Sequence, residues 1–253
     1  MKVFEDYADF YDLLYQDKPY QKESEFIHSC IQGHFPGAKS ILEFGSGSGK
    51  HAHFLAQLGY RVLGIDQSKK MVARAKKMIG NRLESHLSFV QGDIRHKNVP
   101  EKFDIGISLF HVMSYQTKNQ DFLSTLKNMA DHLNPGGLFI FDTWYGPAAL
   151  SSPPTFRGKK FEDDYFEVFR FSQPQIQPNE NRVDVLYNLW VRNKMNSTLQ
   201  TIEEVHSLRY FFKPEIELFL ETSGFTLKRA EEFFTRKDLG TDTWGSLWLA
   251  QKI

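Results

Sequence analysis

Through residues 39–145, short apolar runs alternate with stretches whose apolar positions recur at helical spacing. The runs are 41–44, 62–65, 87–91, 103–109 and 138–142, each of buried-strand length. Between them, Phe54, Leu55 and Leu58 share one helical face, as do Met71, Val72, Ala75, Met78 and Ile79, and later Phe122, Leu126, Met129 and Leu133. Strands and helices in alternation, with near-continuous apolar strands, predict a parallel sheet covered on both faces: a doubly wound, Rossmann-like α/β fold. Ahead of it, positions 4, 7, 11, 14 and 15 of an aromatic-rich segment (4–20) fit one helical face. Asp17-Lys18-Pro19 breaks that helix, and a second spans 20–32. Residues 1–38 are therefore expected to form a helical lid on the core at 39–145.

The pattern changes after Thr143. Pro147, Pro153 and Pro154 argue against a regular element there. Three β-rich segments follow at 164–172, 182–192 and 198–212, separated by turn residues such as Pro178-Asn179. They predict a three-stranded antiparallel insertion over 146–213, serving as a substrate roof or a dimer contact. A helix starting near Pro214 and stopping at Gly224, then strands at 225–232 and 245–251, complete the core over 214–253.

The first strand runs into Gly45, Gly47 and Gly49, with Glu43 before them and Asp66 ending the next strand. Glycines let a ligand approach the backbone, the following helix offers free N–H groups, and Asp66 can accept from ribose hydroxyls. Such a unit binds an adenosine-containing cofactor. A nicotinamide site wants G-x-G-x-x-G, but the third glycine position holds Lys50.

The sequence Glu43-x-Gly45-x-Gly47-x-Gly49 resembles the E/D-x-G-x-G-x-G motif of the class I S-adenosylmethionine (SAM) methyltransferases. Gly92-Asp93-Ile94 after the third strand, and Asn134-Pro135-Gly136-Gly137 before a strand ending in Asp142, extend the resemblance over 40–145. Within that superfamily the layout looks like the glycine and amino-sugar N-methyltransferase group, through the aromatic N-terminus, the 109–115 segment and the insertion before Arg209-Tyr210-Phe211. The resemblance implies a seven-stranded sheet of order 3-2-1-4-5-7-6 and SAM as cofactor. It implies a cofactor wall of Tyr15, Glu43, Gly45, Gly47, Gly49, Asp66, Gln67, Met71, Asp93, Ile94 and Phe110, with Asp93 accepting from the adenine amine. His111, Tyr115 and Tyr11 become the catalytic candidates, with His206 as a further histidine and Tyr7 and Tyr15 as positioners. In the amino-sugar enzymes a histidine stands where this chain has Tyr115, and His111 lies four residues earlier. The Asn/Asp-Pro-Pro-aromatic signature of amide and exocyclic-amine methylation is replaced by Phe110-His111-Val112-Met113.

Composition narrows the partners. Lys plus Arg and Asp plus Glu both number 31 in 253 residues, so there is no basic excess to attract nucleic acid or an anionic membrane. No apolar run reaches membrane-span length and the N-terminus lacks a signal-peptide core. Cys30 is the only cysteine, which excludes an internal disulfide and fits a reducing cytoplasm. No Cys/His spacing suggests a metal site. The expected activity is methyl transfer to an amine or hydroxyl of a small polar metabolite, such as a sugar nucleotide. The alternatives are an RNA or protein methyltransferase and a non-catalytic SAM-binding module.

Overall fold

The computed structural model describes residues 6–80 and 83–253. Its core strands are β1 (Ser40–Phe44), β2 (Arg61–Asp66), β3 (Leu87–Gln91), β4 (Phe103–Ser108) and β5 (Leu133–Tyr145). The insertion contributes β6 (Arg157–Glu162), β7 (Phe166–Gln177), β8 (Arg182–Asn193) and β9 (Leu199–Phe211), and the chain closes with β10 (Phe225–Glu232) and β11 (Gly245–Lys252). The helices are α1 (Tyr11–Leu14), α2 (Tyr20–His34), α3 (Lys50–Gln57), α4 (Lys69–Lys77), α5 (Asn119–His132), α6 (Gly146–Ser151) and α7 (Lys213–Thr222).

The core runs β3-β2-β1-β4-β5-β11-β10, with β1 to β5 parallel and β11 antiparallel to both neighbours. This is the expected 3-2-1-4-5-7-6 order. One junction was not expected: β9 pairs in parallel with the end of β5, at Trp144↔Tyr210 and Tyr145↔Phe211, so the insertion sheet continues from the core sheet.

Every residue of β1 is buried, as a central parallel strand requires. Alternate side chains then feed two cores. Leu42, Phe44, Phe139, Phe141 and Trp248 pack with Phe122 and Phe219 of α5 and α7. Ile41, Ile105, Ile107, Ile140 and Leu249 pack with Ile27 and Leu55 of α2 and α3. Burying one large apolar side chain contributes about 1.5–3 kcal/mol before entropy is counted, so these two layers fix the carboxyl ends of β1, β2 and β4 on which the site is built.

Three expectations need correction. The insertion has four antiparallel strands, not three. The extra strand, β6, is an edge that buries only Phe161 and so carries no alternating apolar signal. The proline-rich stretch does hold a helix: Pro147 sits in the first turn of α6, where its missing N–H has no partner to lose. The N-terminal aromatic stripe is not one helix. A 3-10 turn (Tyr7–Phe10) passes into the short α1, and its side chains pack on the insertion, against Phe161, Val168, Leu189 and Ile202. Phe4, the first position of that stripe, lies outside the described residues.

Candidate active site

Gly45, Gly47 and Gly49 all adopt left-handed backbone, with φ of +71°, +54° and +82°. They do different work. A Cβ on Gly49 would meet the Phe89 ring at 2.6 Å, so that glycine serves packing. A Cβ on Gly47 would meet nothing within 4 Å, because this backbone faces the cavity. Asp66, at the end of β2, accepts the Gly47 N–H at Oδ2 and the Ser68 N–H at Oδ1, both at 2.8 Å. The two bonds hold the carboxylate at the cavity wall, with lone pairs left for a ligand. Burial nevertheless raises its pKa.

Glu43 lies behind this wall. It is 2% exposed, and its Oε2 has no hydrogen-bond partner. Desolvation, helped by the nearby Asp66 charge, pushes its pKa up to about 8. His51 Nδ1 is 4.0 Å from Glu43 Oε1, while His51 Nε2 is 2.7 Å from Glu23, which also pairs with Lys18. His51 is thus the link between buried Glu43 and the cavity.

Asp93 and Ile94 follow β3 and also face the cavity. Asp93 is not simply an open acceptor. Arg95 Nε lies 3.0 Å from its Oδ1 and Arg95 Nη2 lies 2.6 Å from its Oδ2, and a hydrogen bond of this kind holds its pKa low. Arg95 also reaches Asp121 at 3.1 Å.

The opposite end is built on backbone strain. Phe110 and His111, directly beyond β4, have φ of +64° and +61°, which is rare for residues with a Cβ. The His111 N–H donates to Asp142 Oδ1 at 3.0 Å, and its Nδ1 lies 2.8 Å from Asp142 Oδ2, off the line of an ideal hydrogen bond. A 3-10 turn (Val112–Tyr115) then carries Tyr115 to the roof, where its hydroxyl lies 2.8 Å from His206 Nδ1. His206 Nε2 is 3.2 Å from Glu204 Oε2, and Glu204 Oε1 accepts the Tyr7 N–H at 3.1 Å. The sheet end, roof and lid are therefore tied into one chain.

Arg170, on β7, donates to the Tyr7 hydroxyl at 3.2 Å and lies over the rings of Tyr15, Phe161 and Tyr187. Among the described residues no carboxylate pairs with it. The other cations at the cavity differ: Lys50 has Asp12, and Arg95 has Asp93 and Asp121.

One cavity of about 550 Å³ lies among these groups. Of the residues named from the sequence, all line it except Glu43, Gly49, Tyr7 and His206, which are not part of its wall. Tyr11 lines it too, buried, with its ring 4.7 Å from that of Tyr15. His206, named as a further histidine, is buried behind Tyr115 instead of standing exposed on its strand. Arg170, Tyr187 and Trp144 line the cavity without having been named. Arg170 and Tyr187 sit on β7 and β8, whose link to the core is remote in sequence, and Trp144 stands at the end of the core strand β5, two residues past Asp142. Asp142 was visible as a strand-ending acid, but not as the partner of His111.

Residues 41–137 match a family model described as a methyltransferase domain. The dTDP-3-amino-3,4,6-trideoxy-alpha-D-glucopyranose N,N-dimethyltransferase of Streptomyces venezuelae is 25% identical over 229 residues, covering 89% of this chain and 92% of that protein. Among solved structures, an S-adenosylmethionine-dependent methyltransferase from Clostridium acetobutylicum has a TM-score of 0.83 at 21% identity, over 99% of each chain. SAM-bound CalS10, an amino pentose methyltransferase from Micromonospora echinaspora, has a TM-score of 0.77 at 19% identity, over 100% of this chain and 99% of that one. These structural likenesses establish the fold.

Proposed function

We propose that this chain, a class I SAM-dependent methyltransferase, transfers a methyl group to the amino nitrogen of a nucleotide-linked amino sugar. The cavity wall suits SAM on observations of the chain itself: an open glycine backbone at Gly47, a fixed carboxylate at Asp66, and a buried, unpartnered oxygen on Glu43. In this reading Asp66 receives the ribose hydroxyls, Asp93 and Ile94 border the adenine, and Gly47 leaves room for the amino-acid end. Glu43 acts through His51, from behind. When bound, SAM supplies an electrophilic methyl on a sulfonium.

The chain's own task is alignment and exclusion of water. An amine nucleophile must be neutral, and a proton must leave it during the reaction. His111, held by Asp142, and Tyr115, held by His206, are the polar groups at the carboxyl end of β4, where ligands meet in an open α/β sheet. Tyr7, Tyr11 and Tyr15 from the lid, with Tyr187 from β8, close the apolar side. Residues 1–38 thus act as lid and 146–213 as roof. A small acceptor accords with a cavity of about 550 Å³ and with the balanced charge of the chain.

The observation that carries the acceptor class is Arg170. A guanidinium half-buried among tyrosines, with no carboxylate beside it among the described residues, favours an anion arriving with the substrate. A sugar linked to a nucleoside diphosphate brings that anion. The test is methyl transfer from labelled SAM to dTDP-linked 3-amino sugars, with glycine and the matching 3-hydroxy sugars as competitors. Transfer to the amino sugars is expected. Transfer to glycine alone overturns the acceptor class, and absence of SAM binding overturns the cofactor.

A further inference from the structure

The direction of one hydroxyl can be read from the chain Tyr115–His206–Glu204. We infer that His206 and Glu204 are positioning residues that turn the Tyr115 proton away from the cavity, so that Tyr115 offers the methyl acceptor a lone pair and receives an N–H from it. The inference rests on the methyltransferase reading for its substrate, but its geometry stands on the chain alone.

A neutral imidazole has one donor nitrogen and one acceptor nitrogen, and an ionised carboxylate only accepts. Glu204 uses Oε1 to accept the Tyr7 N–H at 3.1 Å and presents Oε2 to His206 Nε2 at 3.2 Å. Nε2 therefore carries the imidazole proton, and Nδ1 is left as the acceptor. The partner of Nδ1, 2.8 Å away, is the Tyr115 hydroxyl, which must donate. The ring cannot easily flip to undo this. His206 is 2% exposed and lies edge-on to Tyr187 at 4.9 Å, with Tyr7 at 5.4 Å. Tyr115 itself lines the cavity.

The consequence is chemical selection. A neutral amine that donates one N–H to the Tyr115 oxygen has its own lone pair left to face the methyl donor. An acceptor that can only receive a hydrogen bond at this point makes none with the Tyr115 oxygen. As the new C–N bond forms and the S–C bond breaks, the departing N–H proton passes to the Tyr115 oxygen. The Tyr115 proton moves to His206 Nδ1, and the resulting imidazolium lies against the Glu204 carboxylate.

An isosteric substitution reverses the polarity. In Glu204→Gln the Tyr7 N–H keeps the amide oxygen at the Oε1 place, so the amide NH₂ faces Nε2 and donates to it. The imidazole proton must then move to Nδ1 and point at Tyr115, which turns its own proton into the cavity. The experiment is a long-range ¹H–¹⁵N correlation on the full chain with ¹⁵N-labelled histidine, the His206 signals being identified by their loss in His206→Gln. Wild type is expected to show the Nε2–H tautomer and Glu204→Gln the Nδ1–H tautomer. An Nδ1–H tautomer in wild type, or an unchanged tautomer in Glu204→Gln, overturns the inference. On dTDP-linked 3-amino sugars, Glu204→Gln should lower kcat by about tenfold, the worth of one well-made hydrogen bond, with SAM affinity unchanged; an unchanged kcat beside a switched tautomer also overturns it. If wild type turns over no amino sugar, the acceptor class fails while the tautomer still decides the polarity of Tyr115.

Discussion

Asp66 Oδ2 accepts the Gly47 N–H at 2.8 Å, so the acid at the end of β2 and the open glycine of the turn after β1 form one unit. Replacing the acid should therefore act twice, by removing the ribose acceptor and by releasing the turn. Asp66→Ala is expected to weaken SAM binding by about ten- to a hundredfold, on the scale of one or two charge-assisted hydrogen bonds. Isothermal titration calorimetry measures this directly, and an unchanged affinity removes the ribose assignment.

Two of the turn glycines, Gly47 and Gly49, should separate in their effects. Gly47→Ala keeps its Cβ in open space but must hold φ at +54°, a cost of about 1–2 kcal/mol, and narrows the cofactor's approach. Weaker SAM binding is expected with a small loss of Tm. Gly49→Ala adds a collision with Phe89 at 2.6 Å, so its loss of Tm should be the larger. Thermal unfolding with and without SAM distinguishes the two.

Glu43 gives the site a pH signature. Its folded pKa, about 8, lies above the unfolded value of 4.5. The folded chain thus holds a proton that the unfolded chain releases. This contribution to stability is complete below pH 4.5, declines as pH rises, and is gone above about pH 8. Glu43→Gln should lack that decline. The Tm difference between Glu43→Gln and wild type should move in favour of the variant from pH 5 to pH 8.5. A difference that stays flat across that range contradicts the assignment.

Arg170 should matter to the acceptor and not to the cofactor. Arg170→Ala is expected to raise the KM for a dTDP-linked amino sugar by about tenfold or more, the scale of a charge-assisted hydrogen bond. The dissociation constant of SAM should stay within about twofold, since only the acceptor loses a contact. Equal losses for both ligands would place Arg170 on the cofactor instead.

How much of this could be read from the chain follows from how local each signal is. The turn of Gly45, Gly47 and Gly49, with Asp66 beyond it, is contiguous, and its chemistry is written in residue type and spacing. The central parallel strands β1 and β4 are buried on both faces, so their apolar runs are nearly continuous. β6 escaped because an edge strand with one inward residue, Phe161, has no pattern to show. The Asp93–Arg95 fork spans only two residues, but a carboxylate's choice between a ligand and a neighbour depends on side-chain direction. Tyr115 and His206 are 91 positions apart and meet only because β9 returns to the end of β5. Arg170 joins the lid by the same long route. The cofactor half of the cavity is thus largely local in sequence, and the acceptor half is assembled by the insertion.

The central claim is that the cavity places a methyl donor on Asp66 and an amine beside Tyr115. A crystal structure with S-adenosylhomocysteine and a dTDP-linked 3-amino sugar tests it most directly. The account predicts ribose hydroxyls on Asp66, the vacant methyl position opening toward the sugar nitrogen, an N–H of that nitrogen on the Tyr115 oxygen, and the diphosphate at Arg170. A sugar nitrogen turned away from Tyr115, or a cofactor whose ribose avoids Asp66, would contradict it.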